Sequence, residues 1–290
     1  LYITSKDQFS ALLRKLFDLF IFSSLYIALC AVLMVWQTSQ LLLGTSPSGR
    51  LVGFVFFSTI CSYNFHWYLT PYSVNSSRRA LWTQRHKILH FILYLVGLVG
   101  SAVYFFYLLP HIVALCFGAF VTFLYSAPKL PWGVFRRLRD VAIGKTLFLA
   151  LVWTYVTTIL PLIVADATWQ AGPVLFTVSR FFLIYAICIL FDYRDREDDK
   201  KDGIRSLITL LTEKGIDKLF ITSLSIFGLS TLAMGFFHYP AFYIFLLLIP
   251  GMLTALLYNK AKKDFSDYLY YFVLDGLMMF SSLLMLLFRI

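Results

Sequence analysis

Charge is what this 290-residue chain has little of: only 14% of its residues are Asp, Glu, Lys or Arg, against about 25% in an ordinary soluble domain. Acidic residues are the scarcer sign, 15 against 25 basic ones. Cysteine is sparse too. Cys30, Cys61, Cys116 and Cys188 fall singly in apolar runs at wide, irregular spacing, a pattern that argues against a thiolate metal cluster or a disulfide framework. They read as small buried hydrophobes. No stretch has the composition of a separate water-soluble domain, so residues 1–290 read as one domain. What is abundant is apolar surface. Hydrophobic residues make up 60% of the chain, with 30 Phe and 18 Tyr, types that suit lipid-facing and membrane-interface positions.

The apolar residues come in blocks. A helix needs about 20 mainly apolar residues to cross a bilayer, and nine blocks come close: 16–36, 51–68, 88–109, 112–125, 141–163, 174–191, 219–237, 242–258 and 269–288. The third and fourth are joined through Pro110 and His111 as a tight helical hairpin. The first, which follows Lys6, Arg14 and Lys15, reads as a membrane span rather than a cleaved signal. The expected fold is therefore all-α, a polytopic membrane protein of about nine helices. A net charge of +10 suggests nucleic acid at first sight, but the basic residues lie between apolar blocks. Alternating spans put 21 of the 25 on one side, with the N-terminus. By the positive-inside rule that side is cytoplasmic, so the expected partner is the bilayer and no nucleic acid.

The segment that begins at Phe191 is unlike the rest. Asp192, Asp195 and Asp199 stand at i, i+3 and i+7, on one face if the sixth helix continues past the membrane. Clustered carboxylates repel one another unless a cation neutralises them. Hard oxygen ligands with open places suit Mg²⁺, which joins one or two carboxylates to substrate phosphates. Arg194, Arg196 and Arg205 are candidate contacts to phosphate oxygens. The plainer alternative is a solvated helix end laced with Asp–Arg pairs.

Asp192-x-x-Asp195-x-x-x-Asp199-x-x-x-Gly203-x-Arg205-Ser206-Leu207 resembles the second aspartate-rich motif of the UbiA superfamily of intramembrane prenyltransferases. That motif follows the sixth of the family's nine helices, as it does here. Tyr125-Ser126-Ala127-Pro128 is similar to the family's Tyr-Ser-x-Pro segment. The resemblance implies a helical bundle around a central cavity, with acidic motifs holding Mg²⁺ and the diphosphate of an isoprenyl donor at the cytoplasmic end. Ionisation of that donor yields an allylic cation, which an aromatic or hydroxyl lipid acceptor captures. The catalytic and metal-binding residues it implies are Asp192, Asp195 and Asp199; Asn64, Tyr68, Tyr125, Lys129, Lys145 and Arg205 are the substrate-binding candidates.

One departure matters. The family's first motif reads Asn-x-x-x-Asp-x-x-x-Asp, and the matching stretch keeps Asn64 but has Tyr68 and Tyr72 at the carboxylate positions. Neutral tyrosine is a poor Mg²⁺ ligand. The implied function is prenyl transfer with one acidic cluster, and the alternative is a catalytically impaired paralogue that binds a prenyl lipid or quinone without turnover. A transporter fits worse, because the acidic cluster is at a membrane edge and no repeat is visible. Lys145 reads as a diphosphate contact or as a residue snorkelling to headgroups. Arg180 and Asp275 fall within apolar blocks, where Arg180 either pairs with Asp275 or snorkels to the outer face. His90, His111 and His238 read as interfacial, and Pro161 and Pro250 as kinks or packing residues.

Overall fold

The computed structural model describes residues 5–70, 77–126, 145–201 and 206–289, without the side chains of residues 5–7, 125, 126 and 145. Among these residues every regular element is helical. In chain order the α-helices are α1 (Ser5–Phe22), α2 (Leu25–Thr38), α3 (Gly49–Leu69), α4 (Arg78–Arg85), α5 (Lys87–Tyr107), α6 (Ile112–Ser126) and α7 (Lys145–Thr154). They continue as α8 (Leu160–Val164), α9 (Ala171–Lys201), α10 (Leu207–Leu210), α11 (Glu213–Ala233), α12 (Ala241–Ala261) and α13 (Asp275–Leu287). Three π-helical segments extend or join them: Ser39–Leu43 after α2, Tyr155–Ile159 between α7 and α8, and Leu269–Leu274 before α13.

Among the described residues, seven helical runs are long and apolar enough to cross a membrane: Leu25–Leu43, Lys87–Tyr107, Thr146–Val164, Ala171–Lys201, Glu213–Phe237, Ala241–Ala261 and Leu269–Leu287. Two of the expected spans fall short of that standard for different reasons. Helix α3 has the length, at 21 residues, but carries Arg50, Asn64 and His66; Leu109–Leu124 has the apolarity but is shorter. The chain is an all-helical, polytopic membrane protein. Its first span differs from the expected block at 16–36. The helix breaks at Ser24, whose φ of 70° is left-handed and ends α1, so the span starts at Leu25. Phe9, Leu12, Leu13 and Leu16 on α1 stay exposed.

Serine and threonine hydroxyls start several helices by accepting an otherwise orphaned backbone N–H. Ser48 does so for Leu51, Ser77 for Ala80 and Thr212 for Gly215, each at 3.2 Å. Among the described elements, α3 packs most extensively against α5. Gly97 makes that approach feasible, because a Cβ there would fall 2.5 Å from the backbone nitrogen of Cys61. Small residues let transmembrane backbones meet in this way. Gly97→Ala is expected to destabilise the protein by about 1–3 kcal/mol, the usual cost of overpacking. The check is the thermal midpoint of the detergent-solubilised protein; an unchanged midpoint would show that the helices stand further apart.

Arg180 neither pairs with Asp275 nor snorkels. It is buried in the first half of α9 among neutral acceptors. Its Nη1 donates to Met34 O (3.0 Å), Thr38 Oγ1 (2.6 Å), Thr157 O (3.0 Å) and Thr158 Oγ1 (3.1 Å), and its Nη2 to Gln37 Oε1 (2.6 Å). The guanidinium lies over the Phe176 ring at 4.5 Å. Two π-helical segments flank it: Thr157 lies in one and Thr38 immediately precedes the other. A π turn spreads the helical ladder, so its carbonyls accept from outside donors more readily. Gln37 also accepts from Ser282 Oγ (3.0 Å), which ties this polar knot to α13.

Candidate functional site

Helix α9 has 31 residues. At about 1.5 Å per residue it is longer than the roughly 30 Å hydrocarbon core of a bilayer, so its C-terminal turns extend beyond it. Those turns carry the acidic run, and the helix divides it by face. Glu197 pairs with Lys200 (2.8 Å) and Asp198 with Lys201 (2.9 Å), exposed i,i+3 pairs that match the solvated-helix reading. Such pairs contribute little to stability. Asp192 and Asp199 are buried on another face, at 6% and 8% exposure. Asp192 Oδ2 accepts a hydrogen bond from Thr146 Oγ1 at the start of α7. Asp195 is partly exposed, and its Oδ1 accepts from Arg194 Nε at 3.0 Å.

Arg194 is the hub of the next shell. Its Nη2 donates to the Tyr271 hydroxyl (2.7 Å), and Nη1 lies 4.0 Å from Asp267 Oδ1. The guanidinium sits over the rings of Tyr270 and Tyr271 at 4.7 and 4.8 Å. Arg196 turns elsewhere, to Glu213 and to Leu211 O at 2.8 Å. Lys262 joins that group through Glu213 (3.0 Å) and Asp217 (2.9 Å), and the two carboxylates raise its pKa against the opposing effect of burial. Of the arginines proposed for phosphate, Arg194 is thus the one held beside the acidic face, and Arg205 lies outside the described residues.

Helix α4 supplies a residue that the sequence did not single out. Arg78 pairs with Asp18 of α1 at 2.5 Å, which anchors the first turn. The Arg79 backbone N–H donates to Asp267 Oδ2 at 2.6 Å. This places the Arg79 guanidinium against two nearly perpendicular rings, 4.2 Å from the centre of Trp67 and 4.1 Å from that of Tyr271. Arg79 is 3% exposed, and burial pulls its pKa below the usual value while Tyr271, Asp275, Tyr63 and Asp267 oppose the shift. Asp275 lies within electrostatic range of both Arg79 and Arg194. Tyr271 and Asp275 keep some accessible surface although protein surrounds them. The only sequence signal for Arg79 was its basic charge, which was read as topology.

Asn64 is fully buried and bound to protein. Its Nδ2 donates to Ile60 O (2.8 Å) and to Ser23 O (3.1 Å). Its Oδ1 therefore accepts, and the partner is His90 Nδ1 at 2.7 Å. His90 was expected at the interface; instead it has no exposed surface, because the close α3–α5 packing turns it onto Asn64. Tyr68 lies on the α5 side, 5.4 Å from the Phe91 ring and with Lys87 Nζ 5.5 Å from its own. Tyr125 closes α6 and Lys145 opens α7, but both side chains, together with Lys129 and Tyr72, lie outside the described residues.

Among the described residues, no group of three or more His, Cys, Asp or Glu side chains gathers as a metal cage. The donor chemistry still fits Mg²⁺. Asp192 and Asp195 are hard carboxylates one turn apart, and Mg²⁺ needs only one or two of these when phosphates and water complete its shell. A cavity of about 640 Å³ lined by Arg50, Tyr104, Tyr107 and His111 lies at the other end of α3 and shares no residue with this cluster.

No curated protein matches the chain. The model of the UbiA prenyltransferase family matches residues 75–283, more than two thirds of the sequence. The match takes in α4 and the whole acidic helix and begins just past the stretch in which Tyr68 and Tyr72 replace carboxylates. With that match over the helical bundle and its acidic face, the chain belongs to the UbiA prenyltransferase family.

Proposed function

We propose that the protein transfers a prenyl group from an isoprenyl diphosphate to an aromatic or hydroxyl lipid acceptor, at the cytoplasmic end of the bundle. The observation that carries this is a pair of buried carboxylates, Asp192 and Asp199, on a helix end that also holds Arg194 against Tyr271. Carboxylates are almost never buried unless a cation or hydrogen bonds compensate them. Asp192, Asp195 and Asp199 are the residues that would hold Mg²⁺, which supplies charge neutralisation for the departing diphosphate. In the reaction the allylic C–O bond breaks and its electron pair leaves with the diphosphate. The acceptor's oxygen or ring carbon then bonds to the allylic carbon and loses a proton. Thr146 holds Asp192 in place, and Arg194 adds fixed positive charge beside the leaving group. Tyr270 and Tyr271, whose rings pack against the Arg194 guanidinium, help to exclude water and hold that charge in place.

A second reading, binding without turnover, draws on α3. Asn64 is occupied by Ser23, Ile60 and His90, and Tyr68 rests against Phe91. The deciding experiment is Mg²⁺-dependent release of diphosphate from geranylgeranyl diphosphate by the purified protein in detergent, beside Asp192→Ala and Asp195→Ala variants. Release by the wild type that is lost in the variants supports transfer. Donor binding without release supports the second reading, and neither binding nor release with donors of any length overturns both.

A further inference from the structure

The Arg79 guanidinium packs against the rings of Trp67 and Tyr271, which stand at 78° to each other. Its Nε and Nη2 atoms are buried and, among the described residues, have no hydrogen-bond partner. These are the two parallel N–H groups of one edge, the fork that takes a carboxylate or phosphate side-on. Asp267 does not fill it: its Oδ2 accepts from the Arg79 backbone, and its Oδ1 makes no hydrogen bond among the described residues. Buried polar atoms are nearly always paired, so two adjacent orphan donors on one cation point to a ligand. Close by, Thr83 Oγ1, one turn along α4, and His90 Nε2 are also buried without hydrogen-bond partners among the described residues. His90 is within electrostatic range of Arg79. Asn64 already accepts from His90 Nδ1, so Nε2 is the lone-pair nitrogen that accepts from a hydroxyl or a protonated oxygen.

We propose that the Nε–Nη2 edge of Arg79 binds an oxyanion side-on, without a metal ion, at the cytoplasmic end of the bundle. Two sources share that chemistry: a phosphate of the donor, or a carboxylate on the acceptor. Naming these two rests on the prenyl-transfer reading; the anion site itself does not. The site also bears on the missing acidic motif. A fixed guanidinium beside the end of α3 supplies positive charge in the part of the chain where the motif's carboxylates are replaced.

The test is titration calorimetry on the detergent-solubilised protein in EDTA, with inorganic diphosphate in one arm and benzoate in the other. Binding in at least one arm is expected, and which arm responds identifies the source. Arg79→Met keeps the packing against Trp67 and Tyr271 but removes the fork. It should weaken binding by roughly 10–100-fold, the worth of hydrogen bonds to a charged group. Arg79→Lys keeps the charge as a point and should fall between the two. No binding by the wild type in either arm, or wild-type affinity in Arg79→Met, overturns the proposal. If Arg79→Met is not monodisperse, Arg79→Lys decides: weaker binding supports the fork, and unchanged affinity overturns it. Anion binding without prenyl transfer would leave this site standing and sink the proposed function; prenyl transfer with no anion binding in EDTA would do the reverse.

Discussion

Asp192→Asn is expected to lower diphosphate release on the order of 10³-fold while leaving the fold intact, in the range seen when one preorganised electrostatic contact to a transition state is removed. Asparagine keeps the shape and can still accept from Thr146, so packing between α9 and α7 survives. What disappears is the negative charge, and with it the affinity for a hard cation. Initial rates over a Mg²⁺ series check this, with a circular-dichroism melt as the control for folding. Thr146→Val removes the hydroxyl that orients the carboxylate and should cost a further-shell amount, about 10–100-fold. The two effects should not add, because both act through one carboxylate. An Asp192→Asn enzyme that turns over at the wild-type rate would remove the acidic helix from the chemistry.

The second large effect is on stability. Arg180→Met removes the guanidinium's hydrogen bonds to Met34 O, Thr157 O and Gln37 Oε1, leaving Thr38 Oγ1 to serve the two carbonyls and Ser282 Oγ the amide. Hydrogen bonds to a charged group are worth about 1.5–3 kcal/mol each, so a loss on the order of 3–5 kcal/mol follows once these weaker donors take over. Adding Gln37→Leu should recover part of it, since apolar replacement of both partners of a buried polar contact is far cheaper than removal of one. The thermal midpoints of the single and double variants measure this. Arg180 is about 18 Å along α9 from Asp192, so turnover per folded molecule should not change. A drop in turnover without a drop in midpoint would contradict a purely structural role for the arginine.

Most of the fold was legible because membrane spans announce themselves by length and apolarity, and α5, α11 and α12 follow the expected blocks closely. The start of the first span was not, because the run of apolar residues continues through Ser23 and Ser24 and hides a left-handed break. The acidic helix was legible because its spacing is local. Its division into buried carboxylates and solvated pairs was not, since that depends on what α9 packs against. Arg79 and His90 were misjudged for a related reason. Each looked like an ordinary residue beside a helix end, and only contacts from distant parts of the chain, Tyr271 for one and Asn64 for the other, bury them. Arg180 was flagged as unusual within an apolar block, but its partners are neutral groups that no charge pattern reveals.

The π-helical segment Leu269–Leu274 shows how one helix serves two unrelated polar groups. Each α-helical residue advances the side-chain direction by about 100°, and a π turn inserts roughly one extra residue, so it acts as a phase shift between the two halves. Beyond it, Ser281 and Ser282 meet Gln37 in the apolar middle. Within it, Tyr271 meets Arg194 and Arg79 at the charged end. A regular helix could keep one of these appointments but not both. Deleting a single residue from the segment would rotate the charged end out of register and leave the middle as it is, uncoupling the site from the scaffold by changing nothing except the winding of the chain.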